Sequence, residues 1–215
     1  MERTTNYTHP DRIVTIAVDV QNDFLPGGSL AVTNGNEVTT PLNRIMDLTR
    51  DFDGTVVATR DWHPANTPHF DKWPVHCVAD TKGAAFDDAL RIDANTIILD
   101  KGTGQTDGYS GFDGRGPNGE TIEQIITPRT TRERVAVLIG GLATDYCVRA
   151  TVLDAAELAR KIAAARQGIV DVYALTDAMR GVDLQPGDSQ KALAEMQAAG
   201  AELVTTDFII TGGLL

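Results

Sequence analysis

Cys147 stands in "GGLATDYCV", where a glycine turn gives way to an apolar helical pattern. A thiol in the first turn of a helix meets free N–H groups and the positive end of the helix dipole, which lower its pKa and favour the nucleophilic thiolate. The same N–H groups can hold an oxyanion on an attacked carbonyl. A cysteine so placed can equally be a small buried apolar side chain, so the catalytic reading needs a base and a cation nearby. Asp19, in "DVQNDFLPGGSLAV", and Lys101, in "LDKG", are the candidates. A second cluster is built from histidines. The chain has four, and three of them, His63, His69 and His76, fall within 14 residues; with Asp61 they form D-x-H-x5-H-x6-H. One carboxylate and three imidazoles on one loop suit Zn, Fe, Mn, Co or Ni. Cys77 follows His76 directly and reads as a packed residue rather than a fifth ligand. Phe24, Trp62, Trp73 and Tyr109 lie in the same segments, where they either pack loops or furnish a flat slot for a ring.

These groups need a scaffold that brings them to one place. Apolar, β-branched runs recur at 13–18, 54–59, 96–99, 134–140, 169–175 and 201–205. Most are continuous rather than alternating, as in strands covered on both faces. Helical patterns fall at about 36–51, 120–127, 145–166 and 188–199, with Gly168 and Gly200 as stops for the last two. Alternation of this kind predicts a parallel sheet with helices on both faces. Ligands in such sheets bind beyond the carboxyl ends of the strands. Asp19, the Asp61/His63 pair, Asp100 with Lys101, and Cys147 follow four strands in turn, so all should reach that edge. The long irregular stretches at 60–95 and 102–119 are functional rather than merely connecting. The stretch "DGRGPNGE" at 113–120 turns, and no role is assigned to it.

The 215 residues suit a single domain spanning 1–215. A net charge of −11, with no run of Lys or Arg, excludes nucleic acid and anionic membrane as partners. Residues 1–10 lack the apolar core of a signal peptide, and no stretch is apolar enough to span a bilayer. Two cysteines without an export signal predict a cytoplasmic chain with free thiols. Self-association into a homo-oligomer is left open.

"DVQNDFLPGGSLAV", "TRDWHP", "WPVHCV", "DKG" and "GGLATDYCV", taken in order, resemble the nicotinamidases (pyrazinamidases) among the isochorismatase-like cysteine hydrolases, from about Ile13 to Thr206. The resemblance implies a three-layer αβα fold with a central, mainly parallel sheet of about six strands. It implies a Cys147–Asp19–Lys101 triad, an oxyanion hole of the Ala143 and Cys147 backbone N–H groups, and a cis peptide between Leu142 and Ala143. The implied metal ligands are Asp61, His63, His69 and His76, holding one divalent transition metal ion, zinc first and iron or manganese as alternatives. The implied ring contacts are Phe24, Trp73 and Tyr109, and the implied substrate is a pyridine carboxamide. The expected reaction converts nicotinamide to nicotinate and ammonia through a thioester, with pyrazinamide as a further substrate. The alternative is a related cysteine amidohydrolase acting on a carbamoyl or ureido group, which would not need the histidine set. Within the first motif, Gln21 and Asn22 are expected to hold the loop, and Asp23 to orient the metal ligands.

Overall fold

The computed structural model describes residues 9–213. Six strands form one parallel sheet: β1 (Arg12–Val18), β2 (Thr55–Asp61), β3 (Ile97–Lys101), β4 (Arg134–Leu142), β5 (Ile169–Arg180) and β6 (Glu202–Val204). Their spatial order is β3-β2-β1-β4-β5-β6. The chain therefore builds outward from β1 on one side and then returns to build on the other. The carboxyl ends of β1 and β4 are where the connections diverge, and a crevice opens there.

Burial on both faces explains the continuous apolar strands. Side chains alternate along a strand, so Ile13 and Ala17 of β1 enter one core and Val14, Ile16 and Val18 the other. The first core takes Leu42, Ile45 and Met46 from α1 (Thr39–Asp51). The second takes Ile122 and Ile126 from α2 (Ile122–Ile126), Val152, Ala155 and Ile162 from α3 (Arg149–Ala165), and Ala192 and Met196 from α4 (Asp188–Ala199). Each buried Leu, Ile, Val or Met among them stabilises the fold by about 1.5–3 kcal/mol relative to leaving it in water. The expected αβα layering is present.

Several boundaries differ from the sequence expectation for local reasons. The 36–51 pattern opens as a 3-10 turn at Gly35–Val38, and the 145–166 pattern opens as a wide π-turn at Thr144–Val148. α3 stops at Arg166, which adopts the left-handed conformation (φ 55°) two residues before Gly168. β5 runs on past 175 because its polar tail is satisfied. Asp177 accepts from Thr206 N and Oγ1 at 2.8 and 2.6 Å, and Arg180 pairs with Glu37 at 2.7 Å. The short α5 (Thr206–Phe208) that this contact secures carried no helical periodicity. The 113–120 stretch has a structural role. Arg115 and Asp100 exchange backbone hydrogen bonds at 3.1 Å in an antiparallel bridge, which covers the outer edge of β3. Among the described residues no helix is long and apolar enough to cross a membrane.

Candidate active site

Strand register places the charged groups. Asp61 and Lys101 are opposite one another on β2 and β3, and Val18, just before Asp19, is opposite Thr59. Asp19 leaves β1 in the left-handed region (φ 52°), its N–H donating to Thr59 O at 3.1 Å and its Oδ1 accepting from Thr59 Oγ1 at 2.7 Å. Lys101 Nζ lies 2.8 Å from Asp19 Oδ2, and donates to Asp61 Oδ1 at 2.5 Å, Gly108 O at 3.1 Å and Cys147 Sγ at 3.4 Å. Oxygens of Asp19 and Asp61 and the Cys147 sulfur lie within 4.8 Å of one another. All of these side chains are buried. Gln21 sets Asp61 in place: its Oε1 accepts from Asp61 N and its Nε2 donates to Asp61 O, both at 2.8 Å.

Burial and charge assign the protons. Burial pushes the Asp19 carboxyl up to about 6 against the pull of Lys101. Burial acts on Asp61 too, but there the Lys101 ammonium and His63 win, holding it well below the usual carboxylate range. Burial favours a neutral Lys101, yet the two aspartates outweigh it and keep the ammonium charged. Burial drives the Cys147 thiol well above its ordinary value, and Lys101 only partly offsets this. The helix N-terminus therefore does not suffice, and the sequence reading's requirement for a base and a cation beside Cys147 stands. Desolvation outweighs the pull of Lys101, the resting sulfur keeps its proton, and a base must remove it.

The histidines form a second centre. His63, His69 and His76 each offer one ring nitrogen within 4.8 Å of the others, with ring centroids 4.5–5.2 Å apart. His63 Nδ1 lies 3.0 Å from Gly102 O, His76 Nδ1 2.7 Å from Pro74 O, and His69 Nδ1 2.9 Å from Asp107 Oδ1. A carbonyl or carboxylate only accepts, so each Nδ1 carries a proton and each Nε2 is left to face the centre of the cluster. His63 Nε2 is buried without a hydrogen-bond partner and lies 3.7 Å from Asp61 Oδ2. Burial also lowers the His76 pKa, keeping that imidazole neutral. Imidazoles oriented through Nδ1, with an orphaned buried Nε2 on His63, fit a bound transition metal ion. Asp61 has one oxygen on Lys101 and the other facing His63, so it stands between the two centres. Cys77 lies outside the cluster, buried in the first core, with burial raising its pKa.

One cavity meets both centres. It is lined by Asp61, His69, His76 and Cys147, by Phe24, Trp73 and Tyr109, and by Ala143. The Leu142–Ala143 peptide is cis. Trp73 Nε1 donates to Tyr109 Oη at 3.0 Å, joining two of the aromatic walls. Trp62 is elsewhere: Arg60 lies 3.7 Å over its ring, so it packs the loop. Leu30, Val32, Tyr146 and Val182 also line the cavity and were missed. Tyr146 adjoins Cys147 in a motif already singled out, whereas Val182 follows β5 with no sequence signal. Asn22 Nδ2 donates to Lys82 O at 2.9 Å and holds the loop as expected. Asp23 touches no metal-ligand side chain; its Oδ2 accepts from the N–H of Cys77, next to His76, at 2.7 Å.

The comparisons agree with this geometry. The isochorismatase domain model matches residues 14–208. The chain is 36% identical to the nicotinamidase of Escherichia coli K12 over 211 residues, covering 88% of this chain and 93% of that one. Among solved structures it is similar to the pyrazinamidase of Pyrococcus horikoshii in complex with zinc, with 35% identity, a TM-score of 0.72, and 90% and 99% of the two chains covered. It is also similar to PnC1 of L. infantum in complex with nicotinate, with 29% identity, a TM-score of 0.73, and 93% and 96% covered. A buried thiol, carboxylate and ammonium on this sheet, matched along nearly the whole length, lead to one family: the chain belongs to the isochorismatase-domain hydrolases.

Proposed function

We propose that this protein is a metal-dependent cysteine amidohydrolase that converts nicotinamide to nicotinate and ammonia, and that it accepts pyrazinamide. The observation that carries the reading is one aromatic-walled cavity lined by Cys147, which Lys101 and Asp19 back from behind, and by His69 and His76 of the three-histidine cluster. Phe24, Trp73 and Tyr109 clasp the ring. His63, His69 and His76, with Asp61, would hold a divalent metal ion, zinc by preference, which would supply a Lewis-acidic anchor for the pyridine nitrogen.

Asp19, ionised above about pH 6, takes the Cys147 proton as the sulfur attacks the carboxamide carbon. Lys101 stays charged and stabilises the developing thiolate. The Ala143 and Cys147 N–H groups hold the oxyanion, and Asp19 passes the proton to the departing ammonia. Water then attacks the thioester with Asp19 accepting its proton, the C–S bond breaks, Asp19 returns the proton to the Cys147 sulfur, and nicotinate leaves. The histidine cluster weighs against a carbamoyl or ureido amidase, since the triad alone would serve that chemistry.

We read the chain as one domain, acting in the cytoplasm in pyridine-nucleotide salvage. Two free cysteines support a reducing compartment. The test is ammonia release from nicotinamide by the purified protein beside Cys147→Ala, with bound metal quantified on the same samples. Turnover in the parent, none in Cys147→Ala, and about one metal ion per chain are expected. A metal-free parent that is inert on nicotinamide but hydrolyses ureido substrates would overturn the reading.

A further inference from the structure

Three consecutive residues after β3 touch three different parts of the site. Asp107 Oδ1 accepts from His69 Nδ1 at 2.9 Å, in the metal-ligand cluster. Gly108 O accepts from Lys101 Nζ at 3.1 Å, in the triad. Tyr109 Oη accepts from Trp73 Nε1 at 3.0 Å, in the aromatic wall. Asp107 is also the one carboxylate among the three groups that hold a histidine Nδ1; the other two are backbone carbonyls. Its second oxygen lies 2.9 Å from Lys72 Nζ, which shares the ligand loop with His69. Asp107 is 29% exposed whereas His69 is 3% exposed, so the fastening sits at the border between solvent and the buried centre.

We propose that Asp107 is a positioning residue that couples metal occupancy to the nucleophile, with segment 107–109 as the connection. The proposal rests on the reading of His63, His69 and His76 as a metal site. A metal ion on His69 Nε2 draws electron density from the ring and makes Nδ1–H a stronger donor, so the bond to Asp107 tightens. With Asp107 fixed, the adjoining Gly108 carbonyl stays on the Lys101 ammonium, and Tyr109 keeps its hydrogen bond from Trp73. Without the metal ion, His69 is free to turn or change tautomer. Asp107 is then released, and Lys101 loses the one backbone acceptor among its contacts.

The experiment compares Asp107→Ala and Asp107→Asn with the parent in three readouts: zinc affinity by chelator competition, iodoacetamide labelling of Cys147 at saturating zinc, and KM against kcat for nicotinamide. Asp107→Ala is expected to weaken zinc binding about 10- to 100-fold. Even with zinc saturating, its Cys147 labelling rate should depart from the parent's. Asp107→Asn keeps an acceptor oxygen for Nδ1–H and should recover much of both losses. Lys72→Met, which removes the exposed partner alone, should retain the parent's zinc affinity. Parent-like zinc affinity in Asp107→Ala overturns the proposal, and so does weakened zinc binding with unchanged Cys147 labelling once zinc saturates. The first two readouts need no substrate, so failure on nicotinamide as a substrate and failure of the coupling are separately visible.

Discussion

At the scale of the residue, the site works by setting protons apart. Two aspartates flank one lysine, yet burial lifts Asp19 to about 6 while Lys101 and His63 hold Asp61 down. Such a divergence separates a group that exchanges protons from one that stays charged. The sign is definite: below its pKa Asp19 is protonated and cannot accept from Cys147. kcat/KM should therefore fall about tenfold per pH unit below roughly pH 6 and level off above it. A pH–rate profile checks this, and an acid limb far from pH 6 would remove Asp19 as the base. Asp19→Asn should lose the limb together with the rate. The residues with such roles were legible because charged and nucleophilic types are conspicuous after apolar strands. Val182 and Leu30 were not, because an apolar side chain in a loop looks the same whether it lines a cavity or packs a turn.

At the scale of the element, the strands act through register and the loops through close contact. Gly102 shows the second mode. It has φ 63°, and a Cβ placed there would stand 2.4 Å from His63 Cε1. The bare backbone lets the Gly102 carbonyl reach His63 Nδ1 while the ring lies against the chain. Gly102→Ala should thus displace His63 and weaken metal binding by about 10- to 100-fold while the protein still folds. Chelator competition and circular dichroism together test this; unchanged affinity would show that His63 has room to spare. Gly141, at φ 130°, passes so close to β1 that a Cβ would meet Val18 O at 2.0 Å, which fixes where β4 ends beside Asp19. Strand and helix identities were legible because their apolar periods differ. The extension of β5 and the π-turn before α3 were not. Both have partners distant in sequence, such as Thr206 on Asp177 and the Val182 and Asp183 N–H groups on Asp145 in the π-turn.

At the scale of the whole molecule, the three-histidine cluster draws together a loop of more than thirty residues between β2 and β3 that contains little regular structure. Three imidazoles converge there, and His63 Nε2 is buried without a hydrogen-bond partner, so a metal ion should stabilise the fold as well as serve chemistry. At a free concentration a hundred times its Kd, a ligand contributes about 2.7 kcal/mol. For a chain of this size that raises Tm by roughly 5–10 °C. Thermal melts with added zinc and with chelator test this, and identical curves would mean the cluster holds no ion in the folded state. The sheet order was not legible, because the apolar runs do not say which strand lies beside which. Convergence of the motifs at one edge was legible, since every parallel strand exits in the same direction.

That shared direction also gives the protein a front and a back. Every functional side chain leaves a carboxyl end, whereas the exposed turn at 129–132, just before β4, lies at the opposite pole. A cysteine introduced at Thr130 would be a handle for a surface or a polymer. A molecule tethered there would keep its mouth open to the medium, while one anchored at Leu184, two residues beyond the cavity-lining Val182, would face the support and starve.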